Sequence, residues 1–189
     1  MITVGIDEVG RGCWAGPLVA GAVGLVKPIN GLDDSKKLSK FRRERLAAEL
    51  GISGAAIGLG WVWPLEIDEL GLTAAVGLAM RRALDQITIA WDKLIIDGNY
   101  NFFPDDPRAK AIIKADATVP AVSAASIVAK VARDQWMAGE ATRQFPGYRF
   151  DKHVGYGTAL HQAMLQTYGV CTLHRRSFKP IKVLLEQAT

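Results

Sequence analysis

The chain has 189 residues, of which 49% are hydrophobic and 22% are charged, as in a soluble globular protein with one well-buried core. Its apolar segments are too short to span a bilayer and its N-terminus lacks the pattern of a signal peptide, so we expect a cytoplasmic protein without a membrane anchor. The formal net charge of +4 fits an acidic partner such as nucleic acid but does not require one.

The first half of the chain predicts three strands and two helices. The strands are apolar runs punctuated by glycine, at residues 2–6, 18–26 and 55–62. Residues 38–50 are rich in charge and predict a solvated helix with Ser39 as its N-cap. The helical spacing of apolar residues at 73–89 predicts a second helix, with Thr73 as its N-cap.

The second half of the chain alternates between strands and helices. Short strands are predicted at residues 93–96 and 111–114. Helices are predicted at residues 123–137, 158–168 and 180–187. Ser123 is the expected N-cap of the first of these helices. This order of elements indicates one α/β or α+β domain with a mixed sheet, spanning residues 1–189.

Four carboxylates stand where predicted strands end: Asp7, Glu8, Asp97 and Asp116. If they converge, they cannot all stay ionised without a cation, because like charges raise one another's pKa. A pair of Mg²⁺ or Mn²⁺ ions would neutralise them and would suit a phosphoryl displacement. Adjacent strand residues point to opposite faces, so we expect the strand to bend or end at the first two acids. Asp7 would then bridge the metals while Glu8 holds one of them from the side.

Structural interpretations of the single acids remain open. Asp97-Gly98 is a turn dipeptide, and an aspartate at a strand end is often only a turn former, which applies to Asp116 as well. Asp134 lies on the predicted helix at 123–137, one turn after Lys130. It either joins the metal site or pairs with that lysine and holds the helix against the sheet.

Several basic and aromatic residues are candidates for substrate contact. Gly10-Arg11-Gly12 suits a phosphate backbone, because the glycines allow close approach of main-chain N–H groups and the arginine offers a fork of donors. Tyr156 has a glycine on each side and either stacks on a sugar or base or covers the edge of the core. Other candidates, equally interpretable as solvated loops, are Lys36-Lys37 and Arg175-Arg176 with Lys179.

The cysteines and histidines do not predict a metal site. Cys13 and Cys171 are far apart and form no CxxC motif, which favours two reduced thiols over a disulfide or a zinc site. The three histidines, at positions 153, 161 and 174, show no metal-ligand spacing with the cysteines.

The motifs together resemble type 2 ribonuclease H, the bacterial ribonuclease HII family. They occur in the family's order along nearly the whole chain: IDEVGRGCWAGPLVAGAV near the start, DDSKKLS (33–39), IIDGN (95–99), KADATVPAVSAASIVAKVARD (114–134), GYGT (155–158) and HRRSF (174–178). The resemblance implies a ribonuclease H fold, with a five-stranded mixed sheet flanked by helices. It also implies an endonuclease that cuts the RNA strand of RNA–DNA hybrids and nicks duplex DNA on the 5′ side of single ribonucleotides, leaving 3′-hydroxyl and 5′-phosphate ends.

The family's site residues can be transferred to matching positions of this sequence. The catalytic and metal-binding acids fall on Asp7, Glu8, Asp97 and Asp116, which would hold two Mg²⁺ or Mn²⁺ ions. The residues expected to contact substrate are Gly10, Arg11, Gly12, Lys36 and Tyr156. The Gly-Arg-Gly backbone would read the ribose 2′-hydroxyl, and the tyrosine would stack on the next deoxyribose. Val9 departs from the alanine that family members commonly carry, which should shift local packing and leave the acids in place.

Other functions remain open at this point. A basic module that grips nucleic acid without cutting it would keep the acids for folding or for a structural ion. Another two-metal nuclease, such as a junction resolvase, would cut branched DNA instead. Asp-Glu-Val-Gly also occurs in ribonuclease HIII, although Arg11 and the block at residues 123–134 favour HII. For the leading hypothesis, the expected partners are RNA–DNA hybrid and ribonucleotide-containing duplex DNA, bound by a monomer.

Overall fold

A computed structural model of the chain describes residues 1–187, so the last two residues of the predicted domain lie outside the described part. Five strands form one sheet in the order β3-β2-β1-β4-β5. The strands are β1 (Thr3–Val9), β2 (Leu18–Gly24), β3 (Ala56–Val62), β4 (Lys93–Asp97) and β5 (Ala109–Ile112). The first three are antiparallel neighbours, whereas β4 runs parallel to β1 and to β5. The expected five-stranded mixed sheet is therefore confirmed.

Helices cover both faces of this sheet. They are α1 (Lys40–Ile52), α2 (Pro64–Leu70), α3 (Leu72–Leu84), α4 (Pro120–Trp136), α5 (Thr142–Gln144), α6 (Phe150–His153), α7 (Ala159–Tyr168) and α8 (Lys179–Gln187). A π-helical turn joins α4 to α5, and short 3₁₀ turns precede α4 and α6. Within residues 1–187, no helix has both the length and the apolar character needed to cross a membrane.

The central strand β1 separates two layers of the core. Val4 and Ile6 belong to the cluster that packs against α3, which lies on one face of the sheet. Gly5 points to the other face, where a Cβ would overlap the backbone of α4 at Ala121 and Val122. Because side chains alternate along a strand, Asp7 shares the α4 face with Gly5. Asp7 therefore points toward α4, which packs closely against this face of β1.

Helix starts were predicted correctly only in part. Ser39 is confirmed as an N-cap, since its hydroxyl accepts a hydrogen bond from the Arg42 N–H. Thr73 is not a cap, because α3 begins at Leu72 after Gly71 and ends before the predicted residue 89. The short helix α2 was not predicted. It begins at a proline, and the Glu66 carboxylate accepts a hydrogen bond from the Trp63 N–H at 2.9 Å.

Candidate active site

Three aspartates meet on the α4 side of the sheet, where parallel strands end. Asp7, Asp97 and Asp116 each offer a carboxylate oxygen, and these oxygens lie within 4.8 Å of one another. The strand register explains the first pair: Ile6 is the partner of Ile96 in the parallel ladder, so the aspartates that follow are neighbours. The convergence predicted for these three acids is therefore present.

Asp116 is brought into the group by a turn that other site residues hold. The Asp97 carboxylate accepts hydrogen bonds from the Ala115 N–H at 2.7 Å and from the Asp116 N–H at 3.4 Å. The Ser123 hydroxyl donates to the Asp116 carbonyl at 2.6 Å. Ser123 is therefore not the N-cap of α4, which begins earlier, at Pro120. It lies inside the first turns of that helix and fixes the loop that carries the acid.

Glu8 takes a different position from the three aspartates. The prediction that strand β1 bends or ends at the acid pair is wrong, because the strand stays paired through Asp7 and Glu8 to Val9. Consecutive residues of this strand point to opposite faces, and Glu8 lies outside the aspartate group found among the described residues. Its carboxylate instead forms an ion pair with Arg11, at 3.1 Å. Glu8 thereby links the acids to the Gly-Arg-Gly turn.

The acids repel one another in a poorly hydrated site. Burial, followed by the charges of Glu8 and Asp97, raises the pKa of Asp7 to about 8, although hydrogen bonds from Ser126 and from the Glu8 N–H oppose this rise. Burial and the charge of Asp97 also raise the pKa of Asp116. Burial raises the pKa of Glu8 against the opposing effect of Arg11. Without a cation these carboxyl groups therefore keep part of their protons at neutral pH, and a bound cation would favour their ionised form.

The loop at residues 33–39 reaches this acidic group. The Lys36 ammonium lies 4.0 Å from the Asp116 carboxylate, while its side chain remains 82% exposed. The buried hydroxyls of Ser35 and Ser126 are 2.9 Å apart, so the loop is anchored to α4 beside Asp7. Neither serine was singled out from the sequence. The hydrogen bond between Ser35 and Ser126 thus keeps the exposed Lys36 ammonium close to Asp116.

The Gly-Arg-Gly turn is supported from below by Arg175. This arginine is fully buried, and its guanidinium donates to the Arg11 carbonyl at 3.0 Å and to the Gly16 carbonyl at 3.0 and 3.1 Å. Both interpretations of Arg175, substrate contact and solvated loop, are therefore wrong. Arg11 and Gly12 are exposed above it. The turn therefore exposes Arg11 and Gly12 to solvent, while the buried guanidinium holds the Arg11 carbonyl.

A second buried guanidinium, Arg133 of α4, holds the next part of the same loop. It donates to the carbonyls of Pro17 at 2.8 Å, Ala15 at 3.1 Å and Val154 at 2.9 Å. Sequence reasoning missed this residue. It ties the loop after β1 to the segment that precedes Tyr156.

Tyr156 contacts Cys13, the residue that follows the Gly-Arg-Gly turn, and is 38% exposed. Its neighbour Gly155 accepts a hydrogen bond from the Trp14 N–H at 2.9 Å. Burial and contact with Cys13 raise the pKa of the phenol to about 12, so it is un-ionised. The Lys130 ammonium lies 5.4 Å from the ring centre and also pairs with Asp134 at 3.0 Å. Asp134 thus pairs with Lys130, as one of its two interpretations predicted, but both residues belong to α4, so this pair does not hold the helix against the sheet. Asp134 lies outside the three-aspartate group.

Comparisons with known proteins agree on one family. The sequence model of the family described as ribonuclease HII matches residues 4–181. The ribonuclease HII of Polynucleobacter necessarius subsp. necessarius is 49% identical over 189 residues, covering 96% of this chain and 94% of that protein. The crystal structure of the ribonuclease H2 from Pyrococcus horikoshii is 28% identical, with a TM-score of 0.80, and covers 99% of this chain and 98% of its own.

A more distant structure shares the fold. The Bst ribonuclease HIII in complex with Mn²⁺ is 20% identical with a TM-score of 0.73, and the match covers 100% of this chain and 70% of that one. The agreement between the sequence family and the curated relative favours hydrolysis over a module that only binds.

Proposed function

The chain belongs to the ribonuclease HII family, whose members are endonucleases that cut the RNA strand of RNA–DNA hybrids. We propose that, besides cutting such hybrids, it nicks duplex DNA on the 5′ side of single embedded ribonucleotides. The products would carry a 3′-hydroxyl and a 5′-phosphate. One observation carries this proposal. Three carboxylates have oxygens within 4.8 Å of one another, and the next residue after Asp7, Glu8, pairs with Arg11 of the Gly-Arg-Gly turn, in which Arg11 and Gly12 are exposed.

The aspartate group fits divalent cations. Asp7 is 6% exposed and carries a pKa of about 8, so a bound cation would let it ionise and would compensate the repulsion from Asp97. We propose that Asp7, Glu8, Asp97 and Asp116 hold two Mg²⁺ or Mn²⁺ ions. When bound, such ions activate water as a nucleophile and stabilise charge on the phosphate. Glu8 would join through a change of partner, since it now pairs with Arg11.

The chain's own residues would select and orient the substrate. The main chain of the Gly10-Arg11-Gly12 turn, exposed at Arg11 and Gly12, would contact the ribose 2′-hydroxyl, which is the group that distinguishes RNA from DNA at the sugar. Tyr156, un-ionised and 38% exposed, would stack on the adjacent deoxyribose. Lys36 would contact a phosphate beside the acids, since its ammonium is exposed and lies 4.0 Å from Asp116.

We further propose that residues 1–189 act as one catalytic domain and as a cytoplasmic monomer. The five strands form one sheet, and the buried guanidinium groups of Arg133 and Arg175 bond the loop between its first two strands, which supports a single unit. Light scattering of the purified chain across a tenfold range of concentration would test the monomer. A mass twice that of the 20.5 kDa chain would contradict it.

Cleavage of a labelled duplex that carries one ribonucleotide tests the activity. With Mg²⁺ we expect a single nick on the 5′ side of the ribonucleotide, and EDTA should abolish it. A DNA polymerase should extend the new 3′ end. The same duplex without a ribonucleotide is the control and should stay intact. Binding without nicking would support the non-catalytic module, and cutting of branched all-DNA substrates would support a junction resolvase.

Single substitutions separate the roles of the site residues. Asp97→Asn should abolish Mg²⁺-dependent nicking, because it removes a charge from the aspartate group, and retained activity would overturn the metal assignment. Tyr156→Ala should weaken cleavage at the isolated ribonucleotide and leave some cleavage of an all-RNA hybrid. Tyr168→Ala is its matched control, since that tyrosine is 57% exposed on α7 outside the site.

A further inference from the structure

Three buried histidines form a connected group beneath the loop that carries Tyr156. His153, His161 and His174 are 5%, 0% and 1% exposed. The rings of His153 and His161 stack with their centres 4.3 Å apart. The Nε2 atoms of His161 and His174 lie 3.0 Å from each other. The reaction proposed above makes no use of these side chains.

The hydrogen bonds of the group fix which nitrogen carries each proton. His161 Nδ1 lies 3.0 Å from the Tyr156 carbonyl, which can only accept, so this nitrogen must donate. In a neutral ring the other nitrogen, Nε2, is then an acceptor, and the proton in its contact must come from His174 Nε2. His174 Nδ1 is left as an acceptor, and the Cys171 N–H donates to it at 3.0 Å. The Cys171 thiol, which can also donate, lies 3.1 Å from the same nitrogen, and these two contacts are shorter than its 3.3 Å distance to the Cys171 carbonyl. The chain of donors therefore has one direction, from Cys171 to Tyr156.

His153 holds the residue next to Tyr156 in the same way. Its Nε2 lies 2.9 Å from the Tyr148 carbonyl and must donate to it. Its Nδ1 is then free to accept the Gly155 N–H, at 3.2 Å. Two stacked histidines thus hold two successive residues of the loop, one through an N–H and one through a carbonyl.

The group is neutral at physiological pH, as this assignment requires. Burial, with a smaller contribution from the neighbouring histidine, lowers the pKa of both His161 and His174 to about 4. A proton added to either ring would place two N–H groups against each other, or an N–H against the Cys171 N–H. The neutral state is therefore the one in which the loop is held.

The loop has little freedom to move in any other direction. Gly155 has a φ of 89°, and a Cβ there would overlap the Ala15 carbonyl. A Cβ at Gly157 would overlap the Trp14 ring. With Trp14 on one side and the histidines beneath, the main chain of Tyr156 is clamped while its ring is 38% exposed.

We propose that His161 is a positioning residue for Tyr156, and that His174 sets the tautomer in which it acts. The inference rests on the proposed function, since it needs Tyr156 to contact the substrate. By fixing the Tyr156 carbonyl, His161 fixes the direction in which the ring leaves the main chain. The recognition of a single ribonucleotide would then depend on a side chain that does not touch the substrate.

Two substitutions at His161 separate positioning from packing. The amide nitrogen of asparagine overlies histidine Nδ1, so His161→Asn keeps a donor for the Tyr156 carbonyl. The amide of glutamine overlies Nε2, so His161→Gln keeps the contact with His174 and loses that donor. The readout is kcat/KM on a duplex with one ribonucleotide, divided by kcat/KM on an all-RNA hybrid. A loss of folded protein would leave this ratio unchanged.

We expect His161→Gln to lower the ratio about tenfold, which corresponds to one lost hydrogen bond of about 1.4 kcal/mol. His161→Asn should stay within about twofold of the unchanged protein. Tyr156→Ala should lower the ratio as well, and adding His161→Gln to it should lower the ratio no further. If Tyr156→Ala leaves the ratio unchanged, the proposed role of the tyrosine fails. If it lowers the ratio while His161→Gln does not, the positioning inference fails.

A measurement on the unchanged protein covers the case in which a variant does not fold. Long-range ¹⁵N–¹H NMR spectra of the imidazole rings at neutral pH report which nitrogen carries the proton. We expect the proton on Nδ1 of His161 and on Nε2 of His174. The opposite tautomer of His161 would leave its Nδ1 without a proton for the Tyr156 carbonyl and would overturn the inference.

Discussion

Replacing Asp7 by asparagine should stabilise the metal-free protein and abolish its activity. Asp7 is the most perturbed acid of the aspartate group: burial and the charges of Glu8 and Asp97 raise its pKa from 3.8 to about 8. Asparagine has nearly the same shape and carries no charge. Its amide oxygen can still accept the Glu8 N–H, which the carboxylate accepts at 2.7 Å. The substitution therefore removes mainly the electrostatic penalty of folding an acid into this site.

The size and pH dependence of this effect follow from the two pKa values. Between pH 3.8 and about 8 the unfolded chain has lost the Asp7 proton while the folded chain keeps it. The free energy of unfolding contributed by Asp7 therefore falls as pH rises, by about 1.4 kcal/mol per pH unit. Asparagine removes this slope. Near neutral pH and in EDTA, we expect the free energy of unfolding of the variant to exceed that of the wild type by about 2–4 kcal/mol.

Urea unfolding in EDTA, followed by tryptophan fluorescence at several pH values from about 6 to 8, measures this difference. Other titrating groups are common to both proteins, so the difference between the two curves isolates Asp7. Added Mg²⁺ should stabilise the wild type more than the variant, because the cation lets the acid ionise. Equal stability at every pH, or a variant less stable than the wild type in EDTA, would refute the reasoning about a repulsive metal-free site.

Three further predictions concern packing, substrate charge and acid sensitivity. Gly5→Ala should lower the free energy of unfolding by about 3 kcal/mol or more, because its Cβ would overlap the α4 backbone, whereas Gly139→Ala should change it by less than about 1 kcal/mol, since no atom lies within 4 Å. Urea unfolding compares the two. Lys36→Ala should raise KM and reduce the slope of log KM against log salt concentration by about one, the change expected for one lost phosphate contact. The control is Lys37→Ala, because the Lys37 ammonium already pairs with Asp33 at 3.2 Å. Between pH 6.5 and about 4 the unfolded chain binds a proton at His174 that the folded chain does not, so His174 lowers the free energy of unfolding as pH falls, by about 1.4 kcal/mol per pH unit, whereas the raised pKa of Asp7 acts in the opposite sense. The difference in free energy of unfolding between the wild type and His174→Gln, measured in urea across this range, should show that slope, and an equal pH dependence of the two proteins would contradict it.

The acids were predictable from the sequence because each follows an apolar run. Parallel strands end at one edge of a sheet, so Asp7 and Asp97 were expected to be neighbours, and the register of Ile6 with Ile96 makes them so. The direction of Glu8 was not predictable in the same way. Its partner Arg11 lies in a turn, and the turn's path depends on contacts beyond the strand.

Helix boundaries were predictable only where the cap is a local side-chain hydrogen bond. Ser39 caps α1 by bonding a main-chain group three residues away, so a short window of sequence contains the whole interaction. Ser123 looked equivalent, but its hydroxyl donates to Asp116, seven residues earlier, in the loop of the site. A serine before an apolar helical run is therefore ambiguous until the path of the preceding loop is known.

The buried arginines show why the support of the site escaped sequence reasoning. Arg133 and Arg175 read as ordinary charges in polar stretches, yet both are fully buried. Apart from the Val154 carbonyl, their acceptors are main-chain carbonyls of residues 11–17, more than 100 positions away, and the sequence does not show which carbonyls will need a donor. A buried guanidinium is tolerated only where its donors are satisfied, so each arginine enforces the path of the loop that it bonds. The sequence around Gly10 indicates a flexible turn, and hydrogen bonds from the distant arginines fix the path of the chain from Arg11 to Pro17.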